Sequence, residues 1–339
     1  MVRHARPTEA IEVQDIPPPE VPDGHVRVAV SAASINFGDI ARCRGTIATV
    51  MQAPPYTLGM DACGVVEAAG AGAEQWLGRR VVAMCAMSFG GMADLAIAPA
   101  NGVFDAPAML DDVEAAAFLL PFHTTYLALH TRGGLQAGET LLVVGGASAL
   151  GTAAIQLGVA AGARVIAVAG GPEKGALCRE LGAELAVDHT TDDLFDVVMA
   201  HTGEHGIDVA CDMVGGAGTD AVWSTMAYGG RYVPVGFNDD PESGNTGRPL
   251  RKVSMGNFSV VGVMLSYNQA SLPMRKFGVQ PNPIDLGPEV HGALVNLLEK
   301  GAIRPVIGRR IGMSEVAAAL EDHEARRTMG RTVVDLSIA

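Results

Sequence analysis

Basic residues are scarce in this chain: 24 Lys and Arg stand against 37 Asp and Glu, a formal net charge of −13. That balance disfavours a general electrostatic grip on phosphate backbones or anionic lipid, so neither nucleic acid nor membrane is an expected partner. Cysteine is sparse as well. Cys43, Cys63, Cys85, Cys178 and Cys211 are odd in number, widely spaced and without a CxxC pair, which supports neither a disulfide framework nor a Cys-rich zinc knuckle. Reduced thiols in a cytoplasm are the simplest account. No apolar stretch reaches the roughly 18 residues of a membrane span, and Met1 to Asp15 carries charges where a leader would need an apolar core. A soluble, cytoplasmic, unprocessed protein is expected. Glycine, by contrast, is plentiful, with 42 residues in a chain of 339 that is 48% hydrophobic. At about 100 to 200 residues per domain this length predicts two domains, and the absence of a short repeat makes the composition that of a glycine-rich globular enzyme scaffold.

The first hundred residues show short β-branched runs at Val26 to Val30, Gly64 to Glu67 and Arg80 to Ala83, punctuated by Gly, Pro and Asn at intervals suited to a compact barrel-like domain. Pro17, Pro18 and Pro19 exclude regular structure there. Asp111 and Asp112 precede the Ala/Leu-rich Val113 to Leu120 as an N-cap precedes a helix, and helical spacing continues through Thr124 to His130. From Thr140 the rhythm alternates: strands at Leu141 to Val144, Arg164 to Val168, Leu185 to Val187, Ile207 to Asp212, Arg231 to Val235 and Phe258 to Val263 are separated by helical segments. Near-continuous apolar strands between helices predict a parallel sheet covered on both faces, and six of them suit a doubly wound α/β fold. Two helices, at His291 to Lys300 and Met313 to Arg326, and a last strand, Thr332 to Leu336, are too few for a third domain and are expected to fold back onto the first.

The strongest local signal runs from Leu141 to Gly151, strand into glycines into helix. Gly146, Ser148 and Gly151 occupy the slots of a GxGxxG pattern, with Ser in the middle. The first slot makes the tight turn, the second must be small so that backbone approaches a pyrophosphate, and the third lets helix and strand pack closely. Backbone N–H groups near Ala149 and Leu150, at the helix start, then face the phosphates. An NAD enzyme tends to carry an acid at the end of the next strand. Here that strand ends Ala167-Val168-Ala169-Gly170-Gly171, with Lys174 three residues on, so NADPH is expected in preference to NADH.

With these stretches in place, the chain resembles the zinc-independent quinone oxidoreductases, the zeta-crystallin-like branch of the medium-chain dehydrogenase/reductase superfamily, over essentially its whole length. The matching stretches are Ser34-Ile-Asn36-Phe-Gly-Asp39-Ile, Pro55 to Val66 around Gly59 and Gly64, Gly78-Arg-Arg-Val81, Gly90-Gly-Met-Ala-Asp94, the glycines at 145–151, Gly206 to Gly216, Gly229 to Gly236, and Gly330-Arg331-Thr-Val-Val-Asp. The resemblance implies an α/β protein with a Rossmann doubly wound parallel sheet (122–263) inserted in a GroES-like β-rich substrate domain (1–121 plus 264–339), with NADPH, a cleft at the junction and a homodimer.

It also implies site residues. Asn36 and Tyr56 are the candidate catalytic contacts, Asn36 beside the nicotinamide ribose and as a donor to the substrate oxygen, Tyr56 as substrate contact or proton donor. Cofactor contacts carry over to Asn36, Thr124, Gly146, Ser148, Ala149, Leu150, Gly151, Gly170, Lys174, His189, Val214, Gly215, Gly236, Phe237, Val263 and Arg331. His189 stands where relatives often have Tyr, and Arg331 replaces the usual Lys. Zinc-dependent relatives present Cys, a His-Glu pair and a second Cys where this chain has Asn36, Met60-Asp61 and Leu120, so no metal is expected. Without a Lewis acid the expected work is positioning: hydride delivered to a carbon already activated by conjugation, in a quinone or an α,β-unsaturated aldehyde or ketone. An enoyl-thioester reductase of a polyketide or fatty-acid pathway is the alternative, weakened because Ile47 replaces that branch's Tyr. A non-catalytic NADPH-binding regulator is the other alternative. The stretch Asn238 to Lys252 is expected to be a surface loop acting as a lid.

Overall fold

The computed structural model describes residues 7–45, 54–236 and 251–338. The expected Asn238 to Lys252 lid, Phe237 and Ile47 therefore lie almost wholly outside the described residues. The chain divides into two compact units, one from positions 1–120, 266–295 and 305–339, the other from 121–265 and 296–304. The segment 296–304 groups with the second unit, where the Gln156 side chain donates to the Arg304 carbonyl at 3.0 Å and accepts the Arg304 N–H at 2.8 Å.

The first unit is built on a seven-stranded sheet. Its strands are β1 (His25–Ser34), β2 (Asp61–Ala69), β3 (Arg80–Met84), β4 (Leu95–Pro99) and β5 (Val103–Asp105), and two strands from the far end of the chain join them. Strand β1 reads HVRVAVSAAS, and its apolar positions Val26, Val28 and Val30 alternate with more exposed neighbours, as a half-buried strand requires. It pairs antiparallel with β2 and β4.

The second unit carries six strands: β6 (Thr140–Val144), β7 (Arg164–Ala169), β8 (Leu185–Asp188), β9 (Ile207–Asp212), β10 (Met226–Pro234) and β11 (Ser259–Val260). Their spatial order is β11-β10-β9-β6-β7-β8, and each pairing is parallel. This is the doubly wound order, in which the chain runs outward one way from the first strand and then returns to build the other way. Returning to the first unit, β12 (Ile307–Ile311) lies parallel to β13 (Arg331–Asp335), and β13 pairs antiparallel with β1. The chain's last strand thus folds onto its first.

One strand expectation needs correcting. The strand expected over Phe258 to Val263 shrinks to Ser259–Val260, because only these two residues register with Arg231 and Tyr232 of β10; Val263 lies beyond the ladder. The helix expected to pass Pro121 does so, as Leu119–Tyr126, with the proline in the first turn, where its missing N–H has no intrahelical role. It then widens into a π-helical turn over Leu127–Arg132.

The sheet of the second unit is held by Leu142, Ile166, Val168, Ala210, Val222, Trp223, Tyr232 and Phe258, all buried. Trp223 meets Tyr232 edge-on at 5.8 Å and Phe258 at 5.6 Å. Leu142 has no exposed surface. Leu142→Ala is expected to destabilise the protein by about 2–5 kcal/mol, read as a lower urea midpoint by tryptophan fluorescence.

Candidate active site

The two sets of expected site residues fall in different units, and each is described within its own. In the second unit, strand β6 ends at Val144 and the backbone turns through Gly145, whose φ of +79° is the left-handed conformation that glycine adopts without penalty. Its N–H and that of Gly146 both donate to the Val168 carbonyl, at 3.0 and 2.9 Å, tying the turn to β7. Gly146 is therefore not the turn residue the pattern assigned to its slot. It is a close-packing residue, because an added Cβ would lie 2.9 Å from both the Ala167 Cβ and the Cys178 Sγ. At Gly151 a Cβ would lie 2.2 Å from the Gly145 carbonyl oxygen, so helix and turn touch backbone to backbone.

Ser148 does more than stay small. It caps the helix Ala149–Ala160, its Oγ accepting the Gly151 N–H at 3.0 Å. The first-turn N–H groups of Ala149 and Leu150 have no intrahelical acceptor by construction, which makes this helix start suited to an anion. A second close approach flanks it: a Cβ on Gly236 would lie 2.0 Å from the Met213 carbonyl oxygen. Between them Asp212, buried at the end of β9, accepts the N–H groups of Val214 and Gly215 at 2.8 and 2.9 Å and the Tyr232 hydroxyl at 2.8 Å. Sequence reasoning missed Asp212; the signal was a strand-terminal acid followed by Met-Val-Gly-Gly. Thr124 is buried on the helix Leu119–Tyr126.

At the end of β7, Gly170 faces the His189 ring, with an added Cβ 2.8 Å from its Nε2. Lys174 sits half-buried on the helix Pro172–Glu180 that opens just beyond. An acid is present at these strand ends after all, supplied by the neighbouring strand. Asp188 of β8 registers with Ala169 and accepts the Gly171 N–H at 3.0 Å, and its other oxygen takes the Thr190 N–H and hydroxyl at 3.0 and 2.7 Å. Those hydrogen bonds, the Thr190 hydroxyl foremost, hold its carboxyl below the ordinary range.

In the first unit Asn36, Arg331, Ser34 and Asp61 form one buried cluster. Arg331 donates through Nη2 to the Ser34 Oγ at 2.6 Å, to the Asn36 Oδ1 at 2.8 Å and to Asp61 at 3.2 Å. Ser34 donates to Asp61 at 2.7 Å, and the Asn36 Nδ2 donates to the Ser34 carbonyl and to Asp61, both at 3.1 Å. The Asn36 amide, expected to donate to a substrate oxygen, is thus committed within the protein. So is the Tyr56 hydroxyl, which donates to the Arg42 carbonyl at 2.9 Å while its ring packs on Phe89 at 4.7 Å. Among the described residues no group of three or more His, Cys, Asp or Glu side chains is placed to hold a metal ion.

The family models for the alcohol dehydrogenase GroES-like domain and for zinc-binding dehydrogenase match residues 22–108 and 149–276. Over 309 residues the chain is 30% identical to quinone oxidoreductase from Homo sapiens, covering 91% of this chain and 88% of the relative. It is also 30% identical over 329 residues to quinone oxidoreductase-like protein 2 from Bos taurus, covering 96% and 88%. The chain belongs to the medium-chain dehydrogenase/reductases of the quinone oxidoreductase type. Among solved structures, the quinone oxidoreductase from Thermus thermophilus, determined alone and with NADPH, matches with a TM-score of 0.77 and 32% identity over 98% of each chain. In this oxidoreductase family the doubly wound sheet and the GroES-like domain are the two parts seen here. No helix among the described residues is long and apolar enough to cross a membrane.

The helix Phe37–Arg44 follows directly on Asn36 and contains a carboxyl of unusual standing. Asp39 has no exposed surface and accepts the Asn36 and Gly59 N–H groups at 2.9 and 3.2 Å. Burial pushes it from 3.8 up to about 6, against the pull of Asn36, Arg42 and Gly59. The folded state therefore holds this proton more tightly than the unfolded chain, so stability falls as pH rises from about 4 to 6 and the full penalty is present above that window. Relative to wild type, Asp39→Asn is expected to gain about 2 kcal/mol between pH 4 and pH 7 in paired urea titrations. A difference between the two proteins that does not vary with pH contradicts this.

Proposed function

We propose that this protein is an NADPH-dependent, zinc-independent reductase of conjugated carbonyl substrates, a quinone or an α,β-unsaturated aldehyde or ketone. The observation that carries it is the turn 145–151, where an added Cβ on Gly151 would lie 2.2 Å from backbone oxygen and Ser148 caps the helix that follows. Only a nearly side-chain-free surface lets a pyrophosphate reach helix N–H groups this way, so the residues present fit a dinucleotide. When bound, that cofactor supplies a hydride from its reduced nicotinamide. The contacts on this side are Gly146, Ser148, Ala149, Leu150 and Gly151 at the pyrophosphate, Val214, Gly215 and Gly236 at the sheet edge, and Thr124 toward the nicotinamide. Gly170, Lys174 and His189 take the 2′-phosphate. The NADPH complex of the Thermus thermophilus relative supports the same cofactor, and Asp188 at the neighbouring strand end accepts from Gly171 and Thr190.

The donor set speaks against zinc. By resemblance, Asn36 and Met60-Asp61 stand where zinc-dependent relatives carry ligands, and neither an amide nor a thioether replaces thiolate and imidazole. The one carboxylate among them, Asp61, is paired with the buried guanidinium of Arg331, which repels a divalent ion from the same spot. Asn36 and Arg331 act in this reading by ordering each other, and Tyr56 acts by packing on Phe89.

The test is NADPH and NADH oxidation against a panel of quinones and alkenals. NADPH is expected to be consumed faster, without loss after chelation. Lys174→Ala is expected to raise the KM for NADPH about tenfold, the equivalent of roughly 1.4 kcal/mol, and to leave that for NADH nearly unchanged. Equal effects on the two cofactors would remove Lys174 from the site.

A further inference from the structure

A cofactor preference set by charge changes with pH where one of the charged partners is an imidazole, which ordinarily titrates at about pH 6.5. In the second unit such a group stands at the strand ends beyond the dinucleotide turn. Ala167 to Gly171, which close β7, contribute no charge. His189 follows directly on β8 and is exposed. Its backbone N–H donates to the Ala169 carbonyl at 3.3 Å, which carries the pairing of the two strands one residue past β8. The ring then lies against Gly170, where an added Cβ would come within 2.8 Å of Nε2 and 3.4 Å of Cε1. A side chain at 170 would displace the imidazole. Gly170 and His189 therefore share one surface at the strand end where a doubly wound fold places its contact to the cofactor's adenosine ribose.

The other charges at this corner have assigned places. Asp188 accepts the Gly171 N–H and the Thr190 N–H and hydroxyl. Those hydrogen bonds first, and then the charge that His189 carries when protonated, hold its carboxyl below the ordinary range. Asp192 accepts the Asp188 N–H at 2.9 Å, and Asp193 caps the helix Leu194–Thr202. The helix Pro172–Glu180, packed on β7 and β8, carries Glu173, Lys174, Arg179 and Glu180. Glu184, before the far end of β8, meets Arg164 and His201. A phosphate dianion brought beside Asp188 is repelled by it, and a proton on His189 offsets that repulsion. The tyrosine that relatives often have at this position, by resemblance, offers no such charge. A dianion next to an imidazole favours its protonated form, so binding draws a proton from solvent onto the ring. A ribose without the phosphate draws none.

We propose that His189 makes the cofactor preference of this protein pH-dependent: protonated, it draws the 2′-phosphate of NADPH to the strand end at Gly170, and neutral, it leaves Asp188 unopposed, so that the preference for NADPH over NADH falls. This rests on the NADPH reading above and assigns the regulation of that same site.

The test is calorimetric titration of wild type, His189→Gln and His189→Lys with NADPH and with NADH from pH 6.5 to 9, repeated at pH 7 in two buffers of different ionisation enthalpy. Quinone and alkenal turnover is followed separately. Over this range imidazole changes charge, while carboxylates, ammonium groups and phosphate monoesters ordinarily keep theirs. In wild type the ratio of NADPH to NADH affinity is expected to fall about fivefold as pH rises, the fall produced when binding raises an imidazole from about 6.5 to about 7.5. Binding of NADPH, unlike that of NADH, is expected to take up about half a proton at pH 7. His189→Gln abolishes the uptake and holds the ratio near the value that wild type reaches at pH 9. His189→Lys, a fixed cation, also abolishes the uptake but holds the ratio near the wild-type value at pH 6.5. A wild-type ratio that rises with pH or moves less than about twofold overturns the proposal, as does proton uptake that survives in His189→Gln; NADPH-driven turnover in the same protein then leaves the reductase reading standing. Proton-linked NADPH binding through His189, with no quinone or alkenal reduced, supports the proposal and overturns the reductase reading.

Discussion

Arg331 and Asp61 are 270 positions apart in the chain and meet at 3.2 Å where solvent does not reach. A buried pair of this kind stabilises to the extent that its remaining donors and acceptors find partners, and here Ser34 and Asn36 supply them for the Arg331 Nη2 and for Asp61. Much of the first unit's layout follows. Arg331 opens β13, which pairs with β1, and Asp61 opens β2, which pairs with β1 from the other side, so the ion pair spans the strand between them. Asn36 lies just past the end of β1, and the helix carrying Asp39 and Arg42 starts from it. Breaking the pair would leave one buried charge without its counter-ion, a larger loss than the pair's own net contribution.

The contrast between the two buried arginines is informative. Arg331 has a carboxylate, an amide oxygen and a hydroxyl around its Nη2, while its Nε is without a hydrogen-bond partner among the described residues. Arg42 has an aromatic face and a thioether nearby but, among the described residues, no hydrogen-bond partner for Nε or Nη1. Burial pulls both guanidinium groups below their ordinary range, with Asp61 opposing the shift for Arg331 and Asp39 for Arg42. The first is an ion pair supported by two polar neighbours, and the second is a guanidinium stacked on an aromatic face. The second unit does comparable work with close backbone contacts and one buried carboxyl. Close approach at Gly146, Gly151 and Gly236 clears a surface, and Asp212 fixes the 213–215 backbone through N–H groups alone.

Much of this was legible in advance. Alternation marked β1, near-continuous apolar runs marked β6, β7 and β9, and their placement between helices implied the parallel sheet that is present. The glycine pattern located the turn at 145–151 but misassigned it by one residue, because two consecutive glycines fit the same slot and only the φ of Gly145 separates turn from contact. The edge strand at 259–260 was overestimated since an apolar run carries no record of how many residues find a ladder partner. The approach of Asp188 to Gly171 was not legible in linear spacing, because it comes from β7–β8 register.

Residue type and order alone determined the class of fold, the position of the anion-suited helix start and the lack of thiolate and imidazole at the positions where metal-dependent relatives place them. These are local properties, set by side-chain chemistry and by periodicities of two and of about 3.6 residues. Tertiary structure alone decided which polar atoms are satisfied. Asn36, Tyr56, Arg42 and Arg331 look equally able to donate when read as letters. Pairing of β1 with β2 and β13 brings Ser34, Asp61 and Arg331 around Asn36, whereas the head of Arg42 lies over the Phe89 ring. Hydrogen-bond satisfaction depends on three-dimensional neighbours within about 3 Å, and chain distance does not encode them.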